Sequence, residues 1–214
     1  MQLLIDLDGT LTDSAPGIVR CIQHAMHALN REPWTPERIT PLIGASLHDA
    51  FGVVLDTCDE ALIAQATRLY RDRFADIGLF ENSLYAGVAE GLPQLQQDGH
   101  RLFLATSKPL VFARRIVEHF GLAAHFDGLY GSELSGERTD KAELIAHLLA
   151  TENIGIAGTW MIGDRSHDIR GARANGVRVV AVAWGYGTTV EWVEADAVVQ
   201  TMAALRSFLA SQAD

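Results

Sequence analysis

The feature that most constrains this chain is where its strand-like segments fall. A short apolar run, Leu3–Asp6, opens the sequence and reads as a buried strand. Comparable runs return only at Arg101–Ala105, Phe126–Tyr130, Thr159–Ile162, Val177–Val182 and Ala197–Val199. Helical spacing fills the gaps between them, with stop signals at Gly99, Gly121 and Gly176. Such alternation argues for a parallel sheet with helices on both faces. The stretch from about Ala15 to Asn82 is different and reads as helical throughout. Ile18, Ile22, Ala25, Met26 and Leu29 recur at helical spacing until Pro33 and Pro36 end the pattern. Asp59 is a good N-cap for a helix reaching about Ala75. Between them, in "PLIGASLHDAF", Gly44 marks a turn and Ser46 caps a short helix. The expected fold is therefore α/β, a doubly wound parallel-sheet core of residues 1–14 and 83–214 with an inserted α-helical domain of residues 15–82. Gly91 and Pro93 sit where a helix should run, so that helix is expected to begin late or to be kinked.

Composition narrows the function. The 214 residues fit one large domain or a domain plus an insert, and 48% apolar residues suffice for a core. A formal net charge of -10 argues against a nucleic-acid polymer or an anionic membrane as partner. Cys21 and Cys58 have no metal-type spacing and read as free thiols in a reducing cytosol, which gives a cytoplasmic expectation. The N-terminus enters a strand at once, leaving no expected signal peptide, and no apolar run nears the ~18 residues of a membrane helix. Monomer and homodimer are both compatible with the pattern.

In a doubly wound sheet, ligands bind beyond the carboxyl ends of the strands. Asp6 and Asp8 follow the first strand, Thr106, Ser107 and Lys108 the second, and Asp164 and Asp168 the fourth. Lys141 lies in the loop opening the helix "DKAELIAHLL". The carboxylates Asp6, Asp8, Asp164 and Asp168 cannot all stay ionised together without a cation, and an oxygen-only set suits Mg²⁺. Lys141, the Thr106 hydroxyl and the Ser107 N–H can then receive phosphate oxygens.

Each signal has a plainer reading. A lone Asp-x-Asp-Gly is usually a loop, Asp164 can cap the helix after it, and Lys141 can be a solvated lysine. A calcium loop from Asp6 needs glycine at Leu11 and glutamate at Gly17, and fails at both. The eight histidines form no metal-spaced pair in the crevice. Trp160 and "WGYG" read as core packing and a turn, with Gly185 and Gly187 able to bring that loop near the site. The constellation outweighs these readings because its four segments all fall at sheet ends, in the order of one site.

Together "DLDGTLTDS", "LATSKP", Lys141 and "GDRSHD" resemble the four motifs of the haloacid dehalogenase-like phosphohydrolase superfamily, over nearly the whole chain. "TSKP", "FDGLYGSE" and "DIRGARANGV…WGYG" look like its phosphoglycolate phosphatase-like branch, which also holds 5′-nucleotidase-like proteins. The resemblance implies a Rossmann-like core with a helical cap and a phosphatase using Mg²⁺ on a small phosphorylated metabolite. It implies Asp6 as nucleophile forming an aspartyl-phosphate, and Asp8 as general acid and then base. Thr106 and the Ser107 amide would hold the phosphoryl group, Lys141 would bridge Asp6 and phosphate, and Gly9 would let the backbone turn close to phosphate. Mg²⁺ would be bound by Asp6, the Asp8 carbonyl and Asp164, with Asp168 direct or through water. Asp8 also separates phosphatases from true dehalogenases, whose halide leaves without a proton. Substrate contacts are expected from the cap loop around Gly44, with Lys108 and Arg73 as further anion contacts. Two other readings are a sugar phosphomutase and a phosphate-binding module without turnover. "IDLDG" and "YAG" depart from the branch pattern, the latter where a Tyr-Pro-Gly hinge is usual.

Overall fold

The structure, a computed structural model, describes residues 1–212. The chain divides into two compact units, Met1–Asp13 with Leu84–Asp214, and Ser14–Ser83.

The first unit is a six-stranded sheet. Its strands are β1 (Gln2–Ile5), β4 (Arg101–Pro109), β5 (Gly128–Ser132), β6 (Thr159–Gly163), β7 (Arg178–Val182) and β8 (Ala197–Val199), and two short strands, β2 (Thr12–Asp13) and β3 (Ser83–Leu84), mark where the chain leaves the sheet and returns. The order is β5-β4-β1-β6-β7-β8, with every neighbouring pair parallel. The first strand thus lies between two strands made much later in the sequence: Leu4 is in register with Phe103 on one side and Met161 on the other. The sheet reverses its order of growth at β1, which places a ligand crevice at the carboxyl end of that strand. Helices α5 (Val88–Gln97), α6 (Leu110–His119), α7 (Lys141–Glu152) and α8 (Ser166–Ala174) lie between strands, and α9 (Met202–Ala210) follows the last one.

Alternation along the strands sorts the core into two faces. Leu4, Phe103 and Met161 pack with Ile145 and Leu148 of α7 and Ile169 and Ala172 of α8. Trp160, the next residue along β6, instead meets Phe208 of α9 edge to face at 5.3 Å, with the Arg178 guanidinium 3.9 Å from the ring centroid.

Strand positions follow the sequence reading to within one residue at each end, with two larger differences. The strand expected at Phe126–Tyr130 begins at Gly128, because a 3-10 turn at Ala123–His125 and the bond from the Asp127 N–H to the Leu102 carbonyl use the residues before it. The strand expected to stop at Ala105 runs to Pro109 through a register shift: Thr106 pairs with Gly131 and Pro109 with Ser132, so Ser107 and Lys108 bulge out.

The second unit holds α1 (Ala15–Ala28), α2 (Pro36–Ile39), α3 (Leu47–Leu55) and α4 (Glu60–Asp76), with 3-10 turns at Thr40–Leu42 and Gly78–Phe80. The caps sit where the sequence put them: Asp59 accepts from the Ala61 and Leu62 N–H groups, and Ser46 from that of Asp49. Gly44 has a left-handed φ of 98° in the turn before α3. Arg73 is not an open anion contact. Its guanidinium grips Glu81 at 2.7 and 3.2 Å and also donates to the Cys21 sulfur, so its charge is used within the unit.

The helix α5 neither starts late nor avoids its glycine. It begins at Val88 and carries Gly91 and Pro93 inside. Gly91 is set by packing, since a Cβ there would overlap Met202 Cγ of α9 and stand 2.9 Å from its sulfur. Helix propensity alone makes Gly91→Ala stabilising by about 1 kcal/mol; the clash reverses the sign, for a net loss of about 1–2 kcal/mol. Chemical denaturation should show that loss shrinking when Met202→Ala is added, and additive effects of the two substitutions would refute the packing argument.

Candidate active site

The loop after β1 is shaped to bring carboxylates to the strand end. The Asp6 N–H donates to the Ile162 carbonyl at 2.9 Å, which extends the sheet by one residue and pins Asp6 between strands. The chain then turns tightly: the N–H groups of Leu11 and Thr12 both donate to the Leu7 carbonyl. Gly9 takes a φ of 82°, and a Cβ there would overlap the Asp164 carboxylate.

Lys141 joins the separate strand ends. It is the first residue of α7, whose N-cap, Asp140, accepts from the N–H groups of Ala142 and Glu143. Its ammonium is buried and donates to Asp6 Oδ1 and to the Ala105 carbonyl, both at 2.9 Å, and it stands 2.8 Å from Asp168 Oδ1. The ammonium thus meets groups from the end of β1, from β4 and from α8. Burial opposes the charge on Lys141, but Asp168 and Asp6 outweigh it and push its pKa upward. Gly171 makes room for this side chain, since a Cβ there would stand 2.7 Å from Lys141 Cγ.

Asp164 does not cap α8. Arg165 holds the N-cap position, and Asp168 reaches back to accept its N–H at 3.1 Å. Asp164 is instead held by the loop after β7. The N–H groups of Tyr186 and Gly187 donate to its Oδ2 at 2.6 and 3.1 Å, and the Trp192 indole donates to its carbonyl at 2.7 Å. Gly185 and Gly187 do bring this loop to the site: a Cβ on either would overlap the backbone of Gly9 or of Asp164.

One oxygen each from Asp6, Asp164 and Asp168 lies within 4.8 Å of the others, all three residues being buried. Burial, then the Asp168 charge against the pull of Lys141, raises the pKa of Asp6 to about 6. Burial, with Asp168 and Asp6 adding to it, pushes Asp164 well above the usual carboxylate range. Three carboxylates face the one ammonium of Lys141. Asp164 Oδ1 is fully buried without a hydrogen-bond partner, an expensive state for a carboxylate oxygen. An all-oxygen cluster with surplus negative charge and an unsatisfied oxygen fits a hard divalent cation such as Mg²⁺.

The Asp8 carboxylate stands apart from that cluster. Lys108 Nζ lies 2.7 Å from each of its oxygens. Lys108, grouped above with the cap contacts, therefore belongs to the sheet unit: the bulge in β4 turns it to Asp8. Its N–H donates to the Thr106 hydroxyl at 3.2 Å, and the Ser107 carbonyl accepts from Ser132 Oγ at 2.8 Å, which fixes the bulge from both sides. The structure thus brings Asp6, Asp164, Asp168 and Lys141 together, seats Asp8 with Lys108, and leaves Gly44 and Arg73 in the helical unit. The Ala105 carbonyl, Trp192 and Tyr186 were missed by sequence reasoning. Only the paired glycines Gly185 and Gly187 signalled the last.

A carboxylate beside a buried ammonium and a candidate cation site can take part in phosphoryl transfer, where positioning and charge neutralisation dominate. The comparisons with known proteins agree. The family model for haloacid dehalogenase-like hydrolase matches residues 3–182. A 5′-nucleotidase of Pseudomonas aeruginosa is 45% identical over 190 residues, covering 89% of this chain and 86% of that protein. The tyrosine-protein kinase PtkA of Mycobacterium tuberculosis is 40% identical over 87% of this chain, which spans only 63% of the kinase. The crystal structure of a predicted phosphatase from Clostridium acetobutylicum superposes with a TM-score of 0.93 at 34% identity, covering 98% of both chains. With its fold, its strand-end carboxylates and these relatives in agreement, the chain belongs to the haloacid dehalogenase-like hydrolases, within their phosphatase group.

Proposed function

We propose that this phosphatase hydrolyses a small phosphorylated metabolite through an aspartyl-phosphate on Asp6, with Mg²⁺ as cofactor. The observation that carries the reading is the Lys141 ammonium 2.9 Å from Asp6 Oδ1 in a buried strand-end site. Asp6 attacks phosphorus while Lys141 holds its other oxygen and offsets charge on the phosphate. Thr106 and the Ser107 N–H take the phosphoryl oxygens, and Gly9 keeps the approach open. Asp8 gives its proton to the departing alcohol oxygen. It then takes a proton from the water that splits the acyl phosphate, so the covalent route divides one hard displacement into two easier ones. The pairing of Asp8 with Lys108 suits the ionised base of the second step. The acid step requires Lys108 to swing off Asp8, and an anionic substrate gives it a new partner. Asp6, the Asp8 carbonyl and Asp164 would hold Mg²⁺, with Asp168 direct or through water, and the bound ion would supply the charge neutralisation that lets two anions meet.

The relative named 5′-nucleotidase favours a nucleoside 5′-monophosphate as substrate; phosphoglycolate is the other candidate from the sequence resemblance. Residues 15–82 act as the cap, with the loop around Gly44 reading the leaving group and closure excluding water. On this reading the enzyme works in the cytoplasm, as monomer or homodimer, with no nucleic-acid polymer or membrane as partner. The relative named as a tyrosine kinase supports a second outcome, in which an acceptor hydroxyl replaces water.

A panel of nucleoside 5′-monophosphates, phosphoglycolate, a hexose phosphate and an aryl phosphate tests the reading by release of inorganic phosphate. Asp6→Asn should reduce release to background and Asp8→Asn should slow it by about 10²–10⁴-fold. Full activity in Asp6→Asn would sink the mechanism. Isomerised sugar phosphate would point to a mutase, and a panel without turnover to a binding module.

The Asp6 carboxyl rises from 3.8 to about 6 on folding, so the metal-free native protein holds a proton that the unfolded chain releases. The stability from this group is therefore full below pH 3.8 and lost as pH rises through about 6. Mg²⁺ must displace that proton, so its affinity should weaken as pH falls through about 6, with proton release on binding. Calorimetry in buffers of different ionisation enthalpy measures both, and binding without proton uptake or release below that pH would contradict the assignment.

A further inference from the structure

The loop after β7 does more than approach Asp164. On one side, the backbone N–H groups of Tyr186 and Gly187 hold Asp164 Oδ2 and leave Oδ1 buried and unpartnered. On the other side, the same loop is tied to the chain around β2. The Trp184 indole donates to the Thr10 carbonyl at 2.9 Å, and the Tyr186 hydroxyl donates to Asp13 Oδ1 at 2.8 Å. The Tyr186 phenol is also hydrogen-bonded to that of Tyr85, whose N–H donates to the Leu11 carbonyl at 3.1 Å. Asp13 is the last residue of the sheet unit before the chain leaves it, and Tyr85 is the second after the chain returns. A single residue thus touches both crossings with its side chain while its backbone holds a carboxylate of the candidate metal cluster.

We infer that Tyr186 is a positioning residue that couples divalent-metal binding at Asp164 to the two chain crossings at Asp13 and Tyr85. The inference rests on the metal reading above. Its logic is mechanical. The hydroxyl bonds fix where the loop lies, the loop fixes the two N–H groups on Oδ2, and those set the direction of Oδ1. A donor that orients a metal ligand from behind is commonly worth about 10–100-fold in metal affinity. Coupling is reciprocal, so metal bound at Asp164 must stiffen the crossings as much as the crossings favour the metal.

Tyr186→Phe removes the hydroxyl and keeps the ring and the backbone donor. Magnesium titrations of the full chain should show Mg²⁺ binding weakened about 10-fold. Asp13→Ala should weaken it similarly, and the double variant should be no worse than either single. Hydrogen exchange supplies a readout that packing alone would not move. Mg²⁺ should slow exchange of the Tyr85 amide in the wild type and leave it unchanged in Tyr186→Phe. Unaltered Mg²⁺ affinity in Tyr186→Phe, even with a lower melting temperature, overturns the coupling and makes the phenol a packing group. If Tyr186→Phe does not fold, Asp13→Ala decides by the same two readouts. A wild type that binds no Mg²⁺ overturns the metal reading and this inference with it, whereas equal binding by wild type and variants overturns only the inference.

Discussion

The buried ammonium of Lys141 is the contact on which the rest of the sheet end depends. It gathers Asp6 from β1, the Ala105 carbonyl from β4 and Asp168 from α8 around one nitrogen. Taking a charge out of water costs several kcal/mol, and here two carboxylates and a carbonyl offset that cost. Yet the same arrangement draws a third carboxylate, Asp164, into the cluster, where burial and the two other carboxylates outweigh the nearby Arg165 charge. The result is a region folded at some expense to stability, as expected where charge serves chemistry. The packing around it is correspondingly strict. Gly171 under the Lys141 stem and Gly9 beside Asp164 occupy places where any side chain would collide.

Much of this was legible in the sequence, for identifiable reasons. Buried parallel strands are short apolar runs, so the sheet could be found, and functional groups cluster at strand ends, so Asp6, Lys141, Asp164 and Asp168 could be gathered. What could not be read depends on tertiary geometry. The bulge in β4 arises from a register shift against β5, and only that shift turns Lys108 to Asp8. Arg73 looked available because its partners, Glu81 and Cys21, lie far apart in sequence from each other. Pro93 looked like a helix breaker, but packing of α5 on α9 overrode local preference. Trp192 gave no signal, since an indole bound to one backbone carbonyl has no sequence pattern.

Relatives named as a nucleotidase and as a tyrosine kinase share this architecture, which fits a division of labour within it. On the proposed mechanism, the strand-end cluster can serve any transfer of a phosphoryl group, because it would bring anions together. Which molecule donates the group, and whether water or a hydroxyl receives it, must be set by other parts of the chain.

The place of β1 between β4 and β6 has a consequence for how the protein is made. β1 is synthesised before every other strand of the sheet, yet its second neighbour begins only at Thr159. Throughout synthesis of the intervening residues, an apolar segment that ends in Asp6 and Asp8 has no complete berth. The helical stretch can form its local contacts meanwhile, but the sheet is closed late, by contacts of long sequence separation, which are slow to form. Chaperone demand during translation should therefore be concentrated on β1 and the loop after it, the stretch that holds two of the proposed catalytic carboxylates.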